Sequence, residues 1–177
     1  MPNPVPVQAP PLVDAVEHLQ RIRHTCAHVL AMAVQRLFPD AKVTVGPWTE
    51  TGFYYDFDCT TPFTPEDLEH IEAEMRSIIK ADLPIIQETV GREAIKAEIE
   101  QLNEPYKLEI LDGIPEDETI TRYFIGCPDS GKTNHPEVEP SLIDPVVIPP
   151  QVWWWDLCAG PHLNRTGEIH PQAFALE

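Results

Sequence analysis

Two pairs of side chains in this sequence are of types that do chemistry together. His24 and His28 stand four apart within a stretch of helical periodicity, so their imidazoles project from one helix face about one turn apart. Cys158 and His162 are also four apart, but Ala159-Gly160-Pro161 between them disfavours a helix, so a strand end and its turn present this pair. If that turn meets the helix, three imidazoles and a thiol converge. All four are good zinc ligands, with one position left for water if only three of them bind. The same residues also suit a metal-free hydrolytic pocket, in which imidazoles relay protons while Asp156 and Cys158 shape the surface that receives a substrate. Against both stands the plain alternative that the histidines lie at the surface or core edge and that Cys158 is a small buried hydrophobe.

The elements that must position these residues can be read from periodicity and punctuation. Val13, Val16, Leu19, Ile22, Cys26, Val29, Leu30, Ala33, Val34 and Leu37 recur at steps of three and four, which predicts one long amphipathic helix from Leu12 to just before Pro39. Ahead of it, five prolines among residues 1–11 make an extended arm. Lys42 to Val45 and Phe53 to Asp58 read as a hairpin about a Gly- and Pro-containing turn. Thr64-Pro65-Glu66-Asp67 combines a side-chain cap, proline at the first helical position and acids in the first turn, so a second helix runs from there to about Ala81. A strand over Ile85–Val90, a helix from Arg92 ending before Pro105, and a strand over Tyr106–Leu111 follow. Residues 112–150 are crowded with Pro, Gly, Asp and Glu and read as an exposed insertion, with a short strand at Tyr123–Ile125. Val152–Cys158 returns as a strand, in which alternation turns Trp154 away from Trp153 and Trp155. The expected class is α+β: residues 12–177 form one domain, with the long helix packed on a mostly antiparallel sheet and the pocket in the cleft between them.

Bulk properties narrow the partners. The chain of 177 residues has a formal charge of −17 and only 12 Lys and Arg, which argues against a broad grip on a phosphate backbone, so any RNA contact is small and local. No apolar run approaches the roughly 20 residues that span a bilayer, and the first residues lack a signal peptide's basic start, which points to a cytoplasmic protein without a membrane partner. Four cysteines without CxxC spacing read as reduced thiols.

His24-Thr25-Cys26-Ala27-His28, then Gly52-Phe53-Tyr54-Tyr55-Asp56-Phe57, then Asp156-Leu157-Cys158-Ala159-Gly160-Pro161-His162, in this order, resemble the N-terminal editing domain of bacterial-type threonyl-tRNA synthetases. Phe38-Pro39, Val45-Gly46-Pro47 and Tyr106-Lys107-Leu108 are similar to that family as well, so the likeness runs from about Arg23 to Pro171. Alanyl-tRNA synthetase editing domains share the HxxxH and CxxxH pairs but usually end in Gly-Thr-His, where this chain has Gly160-Pro161-His162.

The resemblance implies hydrolysis of the ester that joins misattached serine to the acceptor end of tRNA(Thr), with no cofactor required; zinc at His24, His28, Cys158 and His162 is the alternative. It implies that His24 and Lys107 orient or activate the water. His28, counted with the catalytic groups, and His162 hold the aminoacyl group. Asp156 receives its ammonium, Cys158 lies against its side chain, and Tyr55 brings a hydroxyl to the pocket. The synthetase's catalytic and anticodon-binding domains would act in cis or in trans. Alanyl-type editing of mischarged tRNA(Ala), or a silent module that binds the tRNA acceptor end, are the rival functions.

Overall fold

A computed structural model describes residues 12–127 and 153–177. The arm expected at 1–11 and the greater part of the expected insertion, 128–150, lie outside the described residues.

Helix α1 spans Leu12–Leu37 without a proline or glycine to interrupt it. From Thr25 to Val34 every residue is buried, so the amphipathic first half leads into a stretch that passes through the protein interior. Strands β1 (Lys42–Val43) and β2 (Phe57–Asp58) form the expected antiparallel hairpin, and Thr44 and Val45 extend its hydrogen bonding to Asp56. Helix α2 (Pro65–Lys80) lies against α1. Its start is the capping box expected from sequence: the Thr64 hydroxyl accepts from the Asp67 amide while the Asp67 carboxylate accepts from the Thr64 amide.

Strand β3 (Ile85–Val90) and helix α3 (Arg92–Leu102) stand where expected. The segment after Pro105 does not. It forms helix α4, Pro105–Gly113, rather than a strand. Alternating Tyr106, Leu108 and Ile110 suggest a strand, but Pro105 fixes φ at the first helical position, and the buried pair Lys107 and Leu111 has the four-residue step of a helix face. Within the 112–150 segment, residues 112–119 are largely exposed, but the chain then enters the sheet. Strand β4 (Ile120–Ile125) is the centre of a three-stranded antiparallel sheet ordered β3-β4-β5, where β5 is Trp154–Leu157.

The sheet separates two apolar cores. On one face Ile125 and Trp154 join α1 and α2 through Val29, Met32, Ile71 and Met75. On the other, Ile120, Phe124, Trp155 and Leu157 pack against Ile95 and Ile99 of α3 and Leu111 of α4. Alternation along β5 therefore sends neighbouring indoles into different cores, as expected. The fold is α+β, with the long helix on one side of an antiparallel sheet, and α2 beside it completes that layer. Among the described residues no helix is long and apolar enough to cross a membrane.

The cap on α2 is exposed, so its value can be measured without disturbing either core. Thr64→Ala should lower unfolding free energy by about 1 kcal/mol in urea titration, with Thr64→Ser restoring most of it.

Candidate active site

The quartet forms because α1 and the turn after β5 meet although 137 residues separate them. His24 Nδ1 lies 3.2 Å from the Pro161 carbonyl, and its Nε2 is 3.4 Å from Cys158 Sγ. His162 Nε2 is 3.3 Å from the same sulfur. The rings of His24 and His162 have centroids 4.0 Å apart, and those of His28 and His162 4.2 Å. Thr25, which lies between the two histidines in sequence and is fully buried, places its hydroxyl 3.3 Å from His162 Nδ1 and accepts a 3.1 Å bond from the Leu163 amide.

Gly160 makes this turn possible. Its φ is +75°, and a Cβ there would lie 2.2 Å from the Tyr123 hydroxyl oxygen. The Gly160 amide donates to Cys158 Sγ at 3.2 Å, and Tyr123 packs against His162 with ring centroids 4.5 Å apart.

A second group adjoins the quartet. Lys107 of α4 and Asp156 of β5 form a buried ion pair, and the Tyr55 hydroxyl donates to the other carboxylate oxygen. Asp156 also accepts from the Leu157 amide at 2.9 Å, so three hydrogen bonds reach one carboxylate. The Lys107 ammonium lies over the rings of Trp154 and Trp155, 5.5 and 5.3 Å from their centroids. Trp154 meets His28 edge to face at 5.4 Å and so joins the two groups. Gly46 leaves room for Tyr55, because a Cβ there would come within 2.0 Å of the phenol ring.

Burial sets the charge state. It lowers the affinity of His24 for a proton, against the raising effects of the Pro161 carbonyl and of Asp156. His28 is held well below its ordinary value by burial, then by His24 and Lys107. His162 is lowered by burial and by its two histidine neighbours. The Cys158 thiol is pushed up to about 12, burial outweighing the Gly160 amide. Burial and the Asp156 charge keep the Tyr55 hydroxyl protonated. At neutral pH the quartet is therefore three neutral imidazoles and a thiol.

The ligand atoms of His24, His28, Cys158 and His162 lie within 4.8 Å of one another and could hold a metal ion. Tetrahedral zinc sets sulfur and nitrogen ligands about 3.5 Å apart, close to the two distances here, and would take Cys158 as thiolate.

Thus all seven residues singled out from sequence come together: His24, His28, Cys158 and His162 in the quartet, Lys107, Asp156 and Tyr55 beside it. Thr25, Gln35 and Glu104 escaped notice. Gln35 accepts from the Trp154 indole at 2.6 Å and donates to Glu104 at 2.7 Å, which fixes the indole beneath His28. Gln35 stands seven residues after His28, two helical turns along the same face, and that spacing was the available signal.

A profile described as "Threonyl and Alanyl tRNA synthetase second additional domain" matches residues 124–177. The chain is 49% identical over 160 residues to a protein named "Threonine--tRNA ligase" from Gloeobacter violaceus, covering 90% of this chain and 21% of that protein. It is 50% identical over 167 residues to the protein of the same name from Synechocystis, covering 94% of this chain and 23% of the relative. "Threonine--tRNA ligase, chloroplastic/mitochondrial 2" from Arabidopsis thaliana is likewise 50% identical over 167 residues, covering 94% of this chain and 22% of the relative. The chain thus spans about a fifth to a quarter of the length of the curated relatives it matches.

The buried histidines give stability a definite pH dependence. Their folded values lie below 6.5, so below that pH the unfolded chain binds protons that the folded one refuses. Their contribution is complete above pH 6.5 and declines as pH falls. Thermal unfolding followed from pH 7 to 5 should show Tm falling, with a shallower slope in His162→Gln.

Proposed function

We propose that this chain, similar along nine-tenths of its length to proteins named threonine-tRNA ligase and matched in part by a threonyl and alanyl tRNA synthetase domain, is an editing domain of the threonyl-tRNA synthetase kind and hydrolyses the ester of serine misattached to tRNA(Thr). The observation that carries this reading is the convergence of His24, His28, Cys158 and His162 beside the buried Lys107–Asp156 pair. Ester hydrolysis needs a positioned water, a proton acceptor and stabilisation of the oxyanion.

Neutral His24 has the lone pair for the acceptor's part. Lys107 uses one ammonium hydrogen on Asp156 and has others to orient the water and meet developing negative charge. His28 makes no hydrogen bond to the described residues, so its ring nitrogens are open to the aminoacyl group, which it holds together with His162. Asp156 has roughly four acceptor sites, three of them filled, and offers the remaining one to the substrate ammonium. Tyr55 keeps that carboxylate in place. Cys158, held as a thiol, lines the side-chain end of the pocket and is no nucleophile.

Selectivity follows from the single methyl group that separates threonine from serine. A site built to bind threonine discriminates against the smaller residue by only about 1–3 kcal/mol, so it also accepts serine. A second site that is too tight for the methyl group can remove serine and spare threonine. The neutral quartet performs this chemistry without a metal; zinc held by His24, His28, Cys158 and His162 would instead supply a polarised water. With 12 basic residues against 29 acidic ones, the chain grips the acceptor end locally and leaves the rest of the tRNA to the synthetase's other domains.

The test is deacylation of Ser-tRNA(Thr), Thr-tRNA(Thr) and Ser-tRNA(Ala), with and without a chelator. Chelator-insensitive loss of serine from tRNA(Thr) alone is expected. Cleavage of Ser-tRNA(Ala) would move the chain to the alanyl branch, and no turnover on any substrate would make it a binding module. His24→Ala should lower turnover by about 10²–10⁴-fold with an unchanged unfolding midpoint. Whole tRNA should bind this chain weakly, with a shallow dependence on salt in filter-binding titrations.

A further inference from the structure

The hydrogen bonds around the quartet run in one direction, and Thr25 sets it. The Thr25 hydroxyl is fully buried, and its two hydrogen-bonding neighbours are the Leu163 amide and His162 Nδ1. The amide can only donate, so it occupies a lone pair on the oxygen. A hydroxyl proton buried this deeply needs an acceptor, and His162 Nδ1 is the acceptor within reach. A neutral imidazole has one protonated nitrogen. If Nδ1 accepts from Thr25, Nε2 carries the proton and directs it at Cys158 Sγ, 3.3 Å away.

The opposite end of the quartet is fixed in the same way. The Pro161 carbonyl can only accept, so His24 Nδ1 donates to it and leaves a lone pair on Nε2, 3.4 Å from the same sulfur. Cys158 then receives from His162 and from the Gly160 amide, and its own S–H has His24 Nε2 as acceptor. Thr25 to His162 to Cys158 to His24 to Pro161 is a chain in which every donor meets an acceptor. Reversing the first bond would break it: two imidazole lone pairs would face one thiol proton, and the Thr25 hydroxyl proton would lose its acceptor.

We infer that Thr25 is a positioning residue that selects the Nε2–H tautomer of His162 and thereby leaves Nε2 of His24, not of His162, as the nitrogen whose lone pair faces the Cys158 thiol. Its functional meaning rests on the proposed hydrolysis, in which His24 accepts a proton from water once the Cys158 S–H turns away from it; the tautomer itself does not. A metal held by the quartet would need His162 Nε2 without its proton, so it would compete with this tautomer.

Long-range nitrogen NMR of the imidazoles reads this directly on chelator-treated chain, whether or not it turns over substrate. Wild type and Thr25→Ser should show His162 protonated at Nε2 and His24 at Nδ1. Thr25→Val, close in shape but without a hydroxyl, should lose the His162 preference while the His24 tautomer persists. Deacylation kcat should fall about 10–100-fold in Thr25→Val and return in Thr25→Ser, by analogy with groups that orient metal-bound imidazoles. A wild-type His162 protonated at Nδ1 would overturn the assignment, and so would an unaltered tautomer in Thr25→Val. Should that variant fail to fold, the wild-type spectrum decides alone. Correct tautomers with no deacylation in any variant would sink the hydrolytic reading and leave the Thr25 assignment standing.

Discussion

The buried contact between the Lys107 ammonium and the Asp156 carboxylate is the constraint on which the site depends. Both groups are almost wholly removed from water, Lys107 at 2% exposure and Asp156 at 5%, so each must find its partner within the protein. Such a pair is weak evidence for stability, because apolar residues of similar volume often serve as well, whereas removing one partner costs about 3–5 kcal/mol. What the pair does provide is register. It ties α4 to β5, and with Tyr55 it ties both to the segment before β2. The indoles of Trp154 and Trp155 lie under the ammonium, one belonging to each core, so the same charge links the two sides of the sheet.

Two residues farther along, the chain passes from this polar anchor into the thiol and the turn that carries His162. The quartet is thus held from two directions: by a strand whose carboxylate is anchored, and by a helix buried on all sides at that level. His24 and His162 both reach the one sulfur, and burial favours the uncharged state of all three rings.

Much of this was legible in the sequence because local chemistry and tertiary use agree. The four-residue spacing of His24 and His28 needs only a helix to become a shared face, and α1 has no breaker. Thr64 and Asp67 form their reciprocal cap within one turn of chain. Gly160 and Pro161 mark a turn wherever they fall. The failures have the opposite character. Tyr106 to Ile110 alternates like a strand, and only the packing of Lys107 and Leu111 on one side reveals a helix. Strand β4 lies in a region rich in turn residues, and its central place is decided by partners at 85–90 and 154–157, remote in sequence. Thr25 reads as an ordinary residue between two histidines until Leu163 and His162 arrive from the far end of the chain.

That remoteness has a kinetic meaning. Contacts such as His24 with Pro161 and Thr25 with His162 close loops of 137 residues, among the costliest in entropy that a chain of this size can form. Helix α1 and the hairpin can take shape from neighbouring residues as soon as they leave the ribosome, but they contribute only half a pocket. The thiol, the third imidazole and the carboxylate that anchors Lys107 are translated about 100 residues after the hairpin. The proposed reactivity toward an ester therefore cannot precede completion of the fold, and a nascent or truncated chain ending before the turn at 159–163 would carry the histidines of α1 as inert surface groups.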